Sequence, residues 1–388
     1  MKRFDLELRV LLALVVVNGV AEASIVPLLP SIRDDLGMTS VQAGLVLSAT
    51  TIATLVIAMP VGVAANRFGT RVPLVIAAGL IPIALLGQAL AASLPLLIGA
   101  RLLFGLSFGI IWVIAPARAA AAGRGASGTG SMIAASGLGW LIGPVVAGGV
   151  ADVAGWRIAS LVLAVCALPL VPLIARYAEP RRTGERLERV RLGAALGLVR
   201  RHRAIAGAAL VSALLGVVGG VSGLLLPLAL AGNGLSAGGI GLVFGISAAV
   251  WIAAAALVGR LRASAVHLRG VGVAVAVLAG AWLLPAFGLS TFALLAFLLV
   301  STGCRSAINA LNFAVCVRAS SGDSAPAVVG VMNLAWAVTA LSTPLLAGLA
   351  DGSAGVRTAF ALTGLAAAAV AVLLLAPRGS PVSEPVTS

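Results

Sequence analysis

Long apolar runs separated by short polar joins dominate this chain. Runs of about 20 mostly apolar residues recur at 10–30, 42–64, 72–92, 95–117, 127–150, 157–175, 204–231, 236–258, 270–288, 291–317, 326–349 and 357–376. Each is long enough for a helix to cross the ~30 Å hydrocarbon core of a bilayer. Only helices carry that much backbone through lipid with their polar groups paired inside the segment. The joins hold turn residues, as in Asn66-Arg67-Phe68-Gly69 and Ser320-Ser321-Gly322-Asp323. The pattern predicts an all-α integral membrane protein of twelve transmembrane helices.

The longest polar stretch, 177–203, divides the spans six and six. This predicts an N-terminal six-helix bundle over 1–176, a basic cytoplasmic linker over 177–203 and a C-terminal six-helix bundle over 204–388. The linker either lies as an amphipathic helix on the anionic inner leaflet or only fixes topology through its arginines. The halves resemble each other. At an offset of 200, residues 141–159 match 341–359 at eight of nineteen positions, among them Pro144 with Pro344 and Arg157 with Arg357. Alanine and glycine matches are cheap in such a composition; the proline and arginine matches are not. An internal repeat of six spans points to an alternating-access transporter.

Charge sets the orientation. With the N-terminus inside, Arg33, Arg157 and Arg357 fall outside and Arg101 and Arg305 within spans, leaving 21 of the 26 Lys and Arg on the cytoplasmic side. Positive residues concentrate on the cytoplasmic side of membrane proteins, so both termini are expected in the cytoplasm of a bacterium, with the chain in its inner membrane.

Composition agrees with lipid as the solvent: 61% of residues are hydrophobic and 10% charged, against about half and a quarter in soluble domains. The net charge of +14 does not imply nucleic acid, because the arginines sit in scattered joins and form no basic face. Cys166, Cys304 and Cys316 lie in apolar runs without ligand spacing, and His202 and His267 lie in basic joins. No metal, cofactor or Cys/His nucleophile chemistry is expected. Lys2 and Arg3 followed by Ala21-Glu22-Ala23 imitate a cleavable leader. Asp5, Glu7 and an apolar run that continues to Pro30 favour a first spanning helix instead.

Three segments carry a specific resemblance. Gly62 to Arg71, with Asn66, Arg67, Gly69 and Arg71, fills the join between spans 2 and 3. Arg101, Gly105 and Gly109 lie in span 4, and Gly139-Trp140-Leu141-Ile142-Gly143-Pro144-Val145-Val146-Ala147-Gly148-Gly149 in span 5. Together they resemble the motifs of the major facilitator superfamily, and the span 5 segment is similar to that of its proton-coupled drug antiporters. The resemblance implies a twelve-helix bundle with a substrate site between its halves and a gating role for the join between spans 2 and 3. Asn66 stands where the family carries an aspartate. An asparagine can bond to backbone groups, for instance near Ser324, but offers no charge to a helix N-terminus. The glycines of span 5 form a close-packing seam with a bend at Pro144; it is either a pivot between halves or plain helix packing.

Glu22 is the acid placed deepest in a span, out of 12 in the chain. A mid-membrane carboxylate costs about 2.5–3.5 kcal/mol on insertion scales, and such residues are kept for a function or a partner. Burial favours its protonated form and a nearby cation its ionised form, so a group between those pulls can load and release a proton. Counting helical rise from Arg9 and from Arg118 puts Glu22 and Arg101 at similar depths, about 20–25 Å from the inner face. They are expected to pair, either opening on protonation or bracing the helices statically. Arg305 lies in span 10, the counterpart of span 4, with Asn309 and Asn312 following on one helical face. It either faces a central cavity or is neutralised by backbone carbonyls. Asn18 and Trp336 complete the expected substrate contacts. Trp112, Trp140 and Trp251 either line the same pocket or pack.

The expected function is proton-coupled efflux of a small amphipathic or drug-like molecule, by a monomer in the bilayer with protons as the coupling ion. The alternative is uptake or exchange of a small organic anion held by Arg101 and Arg305. A non-transporting sensor or scaffold would carry a larger soluble part. An enzyme would cluster acids or histidines at one face, and none cluster here.

Overall fold

The structure is a computed structural model that describes residues 2–119, 125–178, 197, 203–260, 267–288, 290–319 and 325–376. Every regular element among the described residues is helical. In chain order these are α1 (Lys2–Asp35), α2 (Ser40–Phe68), α3 (Arg71–Ala89), α4 (Leu94–Ala119), α5 (Gly125–Ala167), α6 (Leu170–Tyr177), α7 (Arg203–Gly232), α8 (Ala237–Val258), α9 (Leu268–Phe287), α10 (Thr291–Ala319), α11 (Ala325–Ala354) and α12 (Val356–Leu375). The expected linker lies almost wholly outside the described residues.

Eleven described stretches are long and apolar enough to cross a membrane, one fewer than the hydropathy pattern predicts. The difference lies at one place. The stretch Gly130–Tyr177 runs 48 residues, about 70 Å at the helical rise and more than twice the ~30 Å of a bilayer core. It breaks at Gly155, whose φ of 82° and ψ of 164° suit glycine and few other residues. Residues 125–154 are thus one crossing, and residues 156–167 with α6 are the next. The join between α11 and α12 uses the same device, with Gly355 at φ 82° and ψ 159°. The two glycines stand 200 positions apart, the offset of the sequence repeat.

Lipid gives helices no hydrophobic reason to associate, so close backbone approach shapes the packing. α1 lies on α5, where a methyl group at Gly139 would strike the Val16 carbonyl and one at Gly143 the Val20 carbonyl. α7 lies on α11 in the same manner, through Gly216 against Trp336 and Thr339 and Gly220 against Thr343. α2 meets α4 at Gly105 and Gly109, which press on Thr50 and Thr54. The buried apolar side chains form one large cluster from residues 10–178, another mainly from 211–374, which Leu29 and Ala43 join, and a small third of Ile205, Ala208, Cys316, Val328 and Met332. Large apolar side chains such as Val153, Phe287 and Phe292 are almost fully exposed, as suits a surface bathed in lipid.

Two helix pairs make the glycine seams between the two large clusters. α2 packs on α11 through Gly44 against the Pro344 carbonyl and Gly348 against the Ser40 carbonyl. α5 packs on α8 through Gly148 against the Ala237 carbonyl and Gly241 against the Pro144 carbonyl. Both seams run toward the end of the bundle that carries Asp35, Asp152 and Asp351, which the charge pattern assigns to the outside. It is called the acidic end below.

Candidate functional site

Glu22 projects from α1 with its side chain 21% exposed, and Arg101 projects from α4 at 3%. Arg101 Nη2 donates to Glu22 Oε2 at 3.1 Å. The guanidinium also lies 5.2 Å from the Phe104 ring centroid, and its Nε, though buried, has no hydrogen-bond partner. The sequence places these side chains at one depth because each stands a similar number of residues from a charged end. The fold brings them into contact because α1 and α4 adjoin. Asn18, one turn before Glu22, is 1% exposed and its Nδ2 lacks a partner. It sits inside the N-terminal cluster.

Arg305 on α10 has different company. Its Nη1 donates to Ser222 Oγ on α7 at 3.3 Å, and Ser222 in turn donates to the Val218 carbonyl at 2.7 Å. The guanidinium carbon lies 5.8 Å from the Trp251 ring centroid on α8, and Nη2 rests against Gly219. Its Nε is buried without a partner. Among the described residues no carboxylate pairs with it. Ser306, next in the chain, donates to the Trp251 carbonyl at 2.6 Å and holds α10 against α8.

Helical spacing puts Asn309 and Asn312 on the face of Arg305, but spacing does not give depth. Asn309 is partly buried. Asn312 is fully buried, and its Nδ2 donates to the Ala208 carbonyl at 2.9 Å and to Ser212 Oγ at 3.2 Å. It fastens α10 to α7 and offers no surface to a substrate. Trp336 on α11 and Trp140 on α5 are 47% and 41% exposed, open enough to meet a ligand or lipid.

The span 5 seam divides in two. Gly139 and Gly143 face α1, within one cluster, while Gly148, Val145 and the Leu141 and Pro144 carbonyls reach α8 in the other. A methyl group at Gly149 would meet nothing, so that glycine is no part of either seam. In the join between spans 2 and 3, Gly62 is buried, Arg67 is exposed, and Gly69 caps α2 at φ 79°. Arg71 donates to the Ala175 carbonyl and ties α3 to α6. The side chain of Asn66, and Ser324, which was expected near it, lie outside the described residues.

Two features escaped the sequence reading. Arg118, expected in a basic join, is 9% exposed, pairs with Glu7 and donates to Thr70 Oγ1. Glu7 lies inside α1, which begins at Lys2; only the start of that helix could have signalled its burial. At the acidic end, Asp152 bridges the clusters. Its carboxylate accepts from Ser236 Oγ at 2.7 Å and from the Gly238 backbone amide at 3.0 Å, at the start of α8. Asp351 likewise accepts from Ser40 Oγ at the start of α2. Each acid sits at the N-terminus of a helix from the other cluster, where the helix dipole favours negative charge.

A family model described as Major Facilitator Superfamily matches residues 11–341. The chain belongs to the major facilitator superfamily. Membership makes it a multi-pass membrane transporter rather than an enzyme. Solved structures agree in fold. A bacterial homologue of the human lysosomal transporter Spinster, inward-facing and unoccupied, superposes with a TM-score of 0.77 at 14% identity, over 96% of this chain and 95% of its own. The nucleoside transporter NupG superposes with a TM-score of 0.73 at 14% identity, over 95% and 98%. A POT family transporter in complex with a thioalcohol-conjugated peptide gives 0.72 at 14%, over 95% of each chain. No curated protein matches the sequence at a significant level.

Proposed function

We propose that this superfamily member is a proton-driven secondary transporter that exports a small amphipathic, drug-like molecule. Its halves, residues 1–176 and 204–388, rock against each other around a site near mid-membrane. The observation that carries this reading is the Glu22–Arg101 contact at 3.1 Å, between a partly open carboxylate and a buried guanidinium. Protonating Glu22 removes the charge that holds Arg101, so α1 and α4 are freed to shift. Deprotonation on the other side restores the pair. Each inward proton supplies about 2.3 kcal/mol per 100 mV of membrane potential. The span 5 segment, similar to that of drug antiporters, supports efflux. The charge bias supports both termini in the cytoplasm and the inner membrane of a bacterium. The transporter acts as a monomer and uses no cofactor.

A second reading, uptake or exchange of a small organic anion, is favoured by Arg305, which no carboxylate pairs with among the described residues. Arg101 is committed to Glu22, so that reading rests on Arg305 alone.

The test is transport in proteoliposomes under an imposed pH gradient, with 1-pyrenebutyrate and rhodamine 6G as anionic and cationic amphipathic probes. Glu22→Gln is expected to lose gradient-driven accumulation while still exchanging probe for probe. Wild-type accumulation by the variant would remove Glu22 from the coupling step.

A further inference from the structure

The repeat shows what is missing beside Arg305. The offset of 200 that aligns 141–159 with 341–359 also aligns α1 with α7, and the contacts confirm the register. Gly143 packs on Val20, and its counterpart Thr343 packs on Gly220. In this register Gly19 corresponds to Gly219 and Glu22 to Ser222. The contacts correspond as well. Arg101 of α4 reaches Glu22 of α1, and Arg305 of α10 reaches Ser222 of α7. Arg305 lies 204 positions after Arg101, one helical turn off the repeat, yet it reaches the counterpart of Glu22, so the C-terminal half places a serine where the N-terminal half has its carboxylate. Serine is shorter and uncharged, and its hydroxyl is already donating to Val218.

We infer that the carboxylate of the substrate takes the place of the missing glutamate, seated on Arg305 in the space left beside Ser222 and Trp251. This rests on the transport reading above and names its substrate class: an amphipathic monocarboxylate whose apolar body lies along the indole. A guanidinium offers a planar fork that matches a carboxylate with two parallel hydrogen bonds. Its Nε has no partner at present. An unpaired cation at mid-membrane is costly, and one negative charge offsets it. A dianion would leave net charge behind, and a cationic ligand would add to what is already there. The Trp251 backbone carbonyl accepts from Ser306, so the backbone that carries the ring is tied to α10.

The experiment is thermal unfolding of the purified full-length transporter during titration with benzoate, with benzylamine as the cation of matched shape. Benzoate is expected to raise the melting temperature of the wild type and benzylamine to leave it unchanged. Ser222→Glu supplies the counter-ion within the chain. It is expected to raise the ligand-free melting temperature and to weaken the benzoate response at least ten-fold. Arg305→Gln, which needs no new charge to fold, is expected to abolish that response. Glu22→Gln is expected to keep it. A failure of proton coupling therefore shows in the transport assay alone, and a failure of this site shows in the titration alone. The inference is overturned if benzoate has no effect on the wild type, if benzylamine acts equally, or if the benzoate response survives in Ser222→Glu or Arg305→Gln.

Discussion

Arg101 and Arg305 carry the same charge but differ in what neutralises them. Arg101 is held by Glu22, while Arg305 meets a hydroxyl and the face of Trp251. Counting residues from charged helix ends was enough to bring Glu22 and Arg101 together, because depth along a helix follows directly from the rise per residue. The count could not show that Asn312 is closed to a ligand. Spacing fixes a helix face, but only the neighbouring helix decides how much of that face is covered. Asn312 illustrates the cost of such a bond. Asn312→Ala removes the two hydrogen bonds to α7 and is expected to lower the unfolding free energy by about 0.6–1.7 kcal/mol, the range for interhelical polar contacts in membranes. The KM for a transported probe is expected to stay at its wild-type value. A raised KM in a protein that melts normally would return Asn312 to the substrate site.

Among the helices, the pairs α2–α11 and α5–α8 join the two large clusters, and they do so with matched parts. Each has a glycine against a proline carbonyl, Gly44 on Pro344 and Gly241 on Pro144. Each ends in an acid at the start of the facing helix, Asp351 at Ser40 and Asp152 at Ser236. Ser48 adds a bond to the Leu341 carbonyl at 2.7 Å along the first pair. The chain must undo these contacts for the acidic end to open. Neutralising both acids in Asp152→Asn with Asp351→Asn is expected to shift the balance toward the open form. An acid at a helix N-terminus contributes about 0.3–1 kcal/mol, up to ~2 where partly buried, and each kilocalorie changes a ratio about five-fold. Distances between spin labels at Gln42 and Ser353 report the shift as a longer, broader distribution. An unchanged distribution would show that the latches do not hold this end. The sequence marked Asp152 and Asp351 as acids at one face. It could not show that each reaches across to the other half, because their partners lie 84 and 311 positions away.

Across the whole molecule, hydropathy was the most legible feature, because lipid demands apolar helices of fixed length. The spans were all foreseen, and the structure adds how the fifth and sixth are joined: by a single break at Gly155, repeated at Gly355. The close join between the halves was legible only as small residues. The sequence grouped Gly139, Gly143 and Gly148 in one seam, and the fold sends the last of them to a different helix. What unifies these scales is a pair of pseudo-equivalent helix clusters, with an arginine held by a carboxylate in one and, among the described residues, an arginine without a carboxylate in the other; the proposed coupling needs that carboxylate, Glu22, to exchange a proton. The most direct check of proton exchange at Glu22 is infrared difference spectroscopy of the membrane-reconstituted protein as pH is lowered. The account predicts a protonated-carboxyl band in the wild type that is missing from Glu22→Gln. Identical difference spectra from the two proteins would contradict it.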